Sequence, residues 1–256
     1  VTTTEPLPAR PGPDDVRALA RSAPWLFRRL HFTHHDERGG DVEAWLERPW
    51  QLRVRTADGE EHDVSGGPPY TVVLSRAYER TPRGLLEWAR DTVGDALHGT
   101  RRGEPVPPVP PQAVTPGRRP DGLVLTRPTA DYDDPMWQSY RWVAMLDPVE
   151  LSEGVDLRDV TAGERQGRRT WWATAVPQPG YDPRCGCCPL LLCAVTMAAE
   201  FSDGAEPAGV PRSGWERLPT TYRVGLDVAT GVVVAVAPLD GEIERQGFST
   251  DIHAAG

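Results

Sequence analysis

The chain has 256 residues, 39% of them hydrophobic and 25% charged, a balance that suits a globular protein large enough to fold without a disulfide or a metal. Its 28 basic and 37 acidic residues leave a net charge of −9, which argues against a nucleic-acid partner because no basic excess is available to neutralise phosphates. No run approaches the ~18 apolar residues of a membrane span. Val1 to Pro6 show neither a basic nor an apolar leader region, so no secretory signal is expected and the chain is read as cytoplasmic. Every basic residue is arginine, and Ala, Gly and Pro abound. That pattern matches the coding bias of a GC-rich genome such as an actinobacterium's, so arginine clusters carry less functional weight than usual.

Residues 1–13, rich in Thr and Pro, are expected to be a flexible tail, and 14–256 a single domain. Asp14 and Asp15 favour a helix start, followed by Val16, Leu19 and Ala20; Pro24 should stop that helix near Arg21 and leave a separate turn. From Leu30 the apolar period changes. His31 to Asp36, Asp41 to Glu47 and Trp50 to Arg55 read as strands, with Arg48-Pro49 as a break and Ala57-Asp58-Gly59 as a tight turn before Glu61 to Val64. A strand over 70–75 and a helix over 82–97 follow. Residues 99–120, dominated by Arg, Gly and Pro, form a long loop. Beyond it come a short strand at Leu123-Val-Leu125, mixed helix and turn over Trp137 to Leu151, and strands over Val155 to Val160 and Arg168 to Val176 joined through Ala162-Gly163. The clearest β signal is the hairpin Tyr222 to Val228 and Val232 to Ala237, turned at Ala229-Thr230-Gly231 and expected at the centre of the sheet.

Three pieces in this order resemble one family: Trp45 to Gly59, Gly167-Arg168 to Val176, and Asp227 to Gly231 followed by Leu239-Asp-Gly and Phe248 to Ile252. Together they look like the fold of LolA-type lipoprotein carriers and RseB-type regulators. That resemblance implies an α+β fold, a single curved antiparallel sheet (half-barrel) with helices on the concave face around an apolar cavity. It also implies that residues before and after the proline-rich loop share one sheet. The corresponding function is a non-catalytic binding module whose partner is an apolar small molecule or a protein segment. The chain departs from the family in its cysteine-rich insertion.

Two local clusters could carry chemistry. Cys185, Cys187, Cys188 and Cys193 are the four cysteines of the chain and lie within nine residues, spaced C-x-C-C-x4-C rather than as the C-x2-C pairs of zinc ribbons. Inert buried thiols, a soft-metal site such as zinc, and a redox or disulfide role all remain open from the sequence, and the metal or thiol role is the alternative function. His31, His34 and His35 cannot converge as ligands, because on a strand His34 points away from the other two, and all three read as partly exposed strand histidines. The carboxylate pairs Asp133-Asp134 and Glu60-Glu61 read as solvated. No nucleophile elbow, phosphate loop or dinucleotide fingerprint occurs. Among nine tryptophans, Trp45, Trp171 and Trp172 are the candidate ligand-binding residues, with Trp171 and Trp172 on opposite sheet faces.

Overall fold

The computed structural model describes residues 5–37, 39–65, 109–128, 132–186, 188–201, 212–242 and 247–256. The strand expected over 70–75, the helix expected over 82–97 and the first half of the proline-rich loop lie outside the described residues. In chain order the elements are α1 (Pro13–Leu26), β1 (Arg29–Asp36), β2 (Gly40–Glu47), β3 (Gln51–Thr56), β4 (Glu61–Ser65), β5 (Gly117–Arg118), β6 (Val124–Thr126), α2 (Tyr140–Leu146), β7 (Val155–Arg165), β8 (Arg168–Pro177), α3 (Ala194–Glu200), β9 (Tyr222–Asp227), β10 (Val233–Pro238) and β11 (Phe248–Ala255). The fold is α+β, dominated by one antiparallel sheet.

Among the described residues nine strands make that sheet, in the order β4-β3-β2-β1-β11-β10-β9-β8-β7, and β5 pairs with β6 in a small separate ribbon. Strands from both sides of the proline-rich loop therefore share one sheet, and the last strand closes against the first: Phe32 pairs with Ile252 and Asp36 with Phe248. The sheet is not closed; among the described strands β4 and β7 are its edges.

Period-two patterning sorts the side chains cleanly. Leu30 and Phe32 of β1, Val42, Ala44 and Leu46 of β2, Trp171, Ala173 and Ala175 of β8, and Tyr222, Val224 and Leu226 of β9 all point to one face and are buried. Helix α1 lays Val16, Leu19, Ala20 and Ala23 against that face near β7, β8 and β9, and α2 meets β10. The β9–β10 hairpin is interior to the sheet, as its pattern predicts, and Asp227 pins its turn by accepting hydrogen bonds from the Thr230 amide (2.9 Å) and hydroxyl (2.8 Å).

Two expectations need correction. Helix α1 does not stop at Arg21 but runs through Pro24 to Leu26. Pro24 sits in the last turn, where the buried guanidinium of Arg48 donates to the Ala23 carbonyl at 2.7 Å and so satisfies a C-terminal carbonyl that would otherwise be stranded. The β7–β8 turn is at Gln166-Gly167, both at positive φ (48° and 72°), not at Ala162-Gly163. Gly163 lies within the strand instead, beneath the Trp172 ring. Within residues 5–12, the Glu5 amide donates to the Pro120 carbonyl, and Leu7 packs on the core.

Candidate functional site

The face opposite α1 carries alternating polar and aromatic side chains, and over β1 to β4 it forms an open trough of about 930 Å³ that reaches Ala254 to Gly256. Cross-strand register builds its floor. His31 of β1 pairs with Trp45 of β2, and their rings stack 4.9 Å apart at 13°. His253 of β11 adds a third ring 4.8 Å from His31. Next to them Trp45 pairs with Arg53 of β3, and Arg55 holds its guanidinium 4.9 Å from the Trp45 ring centroid.

Charged side chains form the walls, each matched to a neighbour. Arg55 bonds Glu61 at 2.7 Å and Glu43 at 3.1 Å, Arg53 bonds Asp63 at 2.9 Å, and Arg29 bonds Glu47 at 2.9 Å. His31 Nε2 lies 2.8 Å from Glu43, and that hydrogen bond holds the Glu43 carboxyl below its usual range. Exposed pairs of this kind add little stability. They surround the stacked Trp45 and His31 rings with matched charges.

Of the tryptophans singled out from sequence, Trp45 alone lines this trough. Trp172 is on the same face but on β8, with four strands between it and β2, about 24 Å along the sheet at the usual strand spacing. Its ring packs on Gly225, where a Cβ would come within 2.7 Å of the indole, so part of the ring is covered by the sheet. Trp171 is fully buried on the other face. The three do not form one site. Sequence reading missed Arg29, Arg53 and Arg55 as trough residues, and placed His31 only as a strand histidine; the two-residue period was the signal that could have joined them to Trp45.

A second concentration of chemistry is buried. Arg48 donates twice to Asp134 (2.8 and 2.7 Å), and both side chains are wholly inaccessible. Tyr132 donates to the same carboxylate at 2.8 Å. Arg184 reaches Asp133 and Asp147, and Arg127 bonds Asp147 through both oxygens at 2.9 Å. Burial alone would raise the Asp147 carboxyl, but Arg127 and Arg184 outweigh it and hold the group below its ordinary value. Burial raises Glu150, and its hydrogen bonds from Tyr181 and the amides of Arg184 and Leu190 offset that only in part. Asp133 and Asp134 are therefore not solvated, contrary to the sequence expectation: arginines distant in sequence neutralise them inside the fold. Glu60 and Glu61 are exposed, as expected.

The histidines divide as the strand period requires. His31 and His35 lie on the outer face, whereas His34 is not partly exposed as expected but buried between Trp142 and Phe248, with its pKa lowered to about 4 by burial. Cys185 and Cys188 come together in a turn with their sulfurs 3.2 Å apart. Skipping Cys187, the two are spaced C-x-x-C, a relation the overall C-x-C-C-x4-C description conceals. Cys193 is buried at the start of α3, its sulfur 3.9 Å from the Thr196 hydroxyl. Cys187 lies outside the described residues, and among the described residues no group of three or more His, Cys, Asp or Glu side chains is placed to hold a metal ion. No described helix is long and apolar enough to cross a membrane. No protein-family model matches the chain, nor does any curated protein or solved structure.

Proposed function

We propose that the protein is a non-catalytic binding module, and that its ligand is a small molecule with a flat apolar body seated on the Trp45–His31 floor of the trough. The observation that carries this reading is the stacked pair itself, half-buried and lining a space of about 930 Å³. Ligand sites of small molecules occupy roughly 300–1,000 Å³, with aromatic walls and a few fixed polar groups. The ion-paired arginines fit the second requirement, since their donors and their carboxylate partners can orient a polar substituent without a net charge preference.

The half-barrel reading of the sheet, with its resemblance to LolA-type carriers, is part of the same proposal. It is supported by the single unclosed antiparallel sheet and by α1 and α2 against its apolar face. Phe32, Trp171, Val224 and Leu226 on that face have no exposure, so the helix-covered side is filled and the trough side is the better seat for a ligand.

The test uses N-phenyl-1-naphthylamine, a neutral, flat, fluorescent probe. Saturable enhancement with one site per chain is expected, lost in Trp45→Ala and retained in Trp172→Ala. Enhancement that never saturates, or that survives Trp45→Ala unchanged, would overturn the proposal.

A further inference from the structure

The turn that carries Cys185 and Cys188 is fixed at both ends to one buried carboxylate. On its N-terminal side, Tyr181 donates its hydroxyl to Glu150, and the Arg184 amide donates to Glu150 at 3.2 Å. On its C-terminal side, the Leu190 amide donates to the same Glu150 at 3.0 Å, and the Leu191 amide reaches the Tyr181 hydroxyl at 3.3 Å. Glu150 and Tyr181 are themselves buried. The Arg184 guanidinium adds a second anchor through Asp133 and Asp147. Within the turn, Gly186 packs so closely on Glu200 of α3 that a Cβ there would meet the Glu200 Cβ at 2.7 Å. These contacts hold the two sulfurs at 3.2 Å, beyond the ~2.05 Å of a disulfide bond but close enough for a small rotation to form one. Both cysteines are half-buried, so a small reagent can reach them.

We infer that Cys185 and Cys188 form a reversible dithiol–disulfide pair that exchanges with low-molecular-weight disulfides. The thiolate of one cysteine attacks a sulfur of the small disulfide, making a mixed disulfide and releasing the first small thiolate. The second cysteine gives its proton to solvent and attacks the protein sulfur of that mixed disulfide. The Cys185–Cys188 bond forms and the second small thiolate leaves. Two cysteine thiols are oxidised, and one small disulfide is reduced to two thiols. The anchored turn favours the second step, because the resolving sulfur is already in place and its ordering entropy was lost on folding. Cys193, capping α3 in the core, takes no part. This site is independent of the trough, and neither proposal depends on the other.

The experiment treats the fully reduced chain with oxidised glutathione, quenches with acid, and reads thiol count in denaturant together with intact mass. The expected result is the loss of two of the four thiols, a mass lower by two hydrogens and no retained glutathione, all reversed by dithiothreitol. Cys187→Ser and Cys193→Ser should each still lose two thiols. Cys185→Ser and Cys188→Ser should instead keep a glutathione adduct. Closure of an internal disulfide in Cys185→Ser or Cys188→Ser would overturn the inference. So would a wild-type chain that accumulates only glutathione adducts or fails to react, and that count requires no variant to fold.

Discussion

Removing Arg48 should unfold the protein more readily than removing any surface arginine. Its side chain and that of Asp134 are both wholly inaccessible, joined by bonds of 2.8 and 2.7 Å, and the guanidinium lies 3.8 Å over the Phe27 ring. In Arg48→Met the Asp134 carboxylate would keep only the Tyr132 hydroxyl among these partners, in a site with no water access. Breaking a buried pair on one side costs about 3–5 kcal/mol, because the remaining charge stays desolvated and uncompensated. The Ala23 carbonyl also loses its donor. Against a total stability of about 5–15 kcal/mol, and a urea slope of about 1–3 kcal/mol per molar, the midpoint should fall by about 1 M or more. The double variant Arg48→Met/Asp134→Leu removes both charges and should recover most of the loss, since an apolar replacement of a buried pair is often near neutral. Urea unfolding followed by circular dichroism reads all three chains. The reasoning fails if Arg48→Met moves the midpoint negligibly, or if the double variant is no more stable than Arg48→Met.

Two further predictions concern the core. His34 has a folded-state pKa of about 4 against an ordinary 6.5, so between those values the unfolded chain binds the extra proton and acid favours unfolding. Its contribution is present above about pH 6.5 and disappears as pH falls through 4, a loss of about 3 kcal/mol at 1.36 kcal/mol per unit. Urea midpoints at pH 7 and pH 4.5 should therefore differ less in His34→Asn than in the wild type; equal pH dependence would contradict the burial argument. Leu226→Ala, at a position with no exposure in the interior strand β9, should cost about 2–5 kcal/mol by thermal or urea unfolding, and a loss below ~1 kcal/mol would mean that the hairpin is peripheral.

What the sequence could disclose followed from period and turn chemistry. The β9–β10 hairpin, the strands from His31 to Val64 and the opposed faces of Trp171 and Trp172 were legible because alternation and turn signals are local. The interior place of that hairpin was legible for the same reason: both its strands are rich in apolar residues. The run of α1 through Pro24 was hidden, because the donor that supports its last turn, Arg48, comes from the β2–β3 connection. Asp133 and Asp134 looked solvated for the same reason; their arginine partners are 51 and 86 residues away. The trough was half visible. Trp45 stood out, but its stack with His31 depends on the pairing register of β1 and β2, which no local pattern states. In the cysteine segment, Cys187 masked the C-x-x-C relation of its neighbours, and only the anchored turn reveals it.

The most direct measurement of the central claim is a nuclear magnetic resonance titration that follows the indole N–H signals of the nine tryptophans as 2-naphthol, a small flat apolar ligand, is added. The Trp45 signal, assigned through its loss in Trp45→Phe, should shift progressively and saturate while that of buried Trp171 stays fixed. A titration in which Trp45 does not move, or in which Trp171 moves and Trp45 does not, would contradict the assignment of the trough as the binding site.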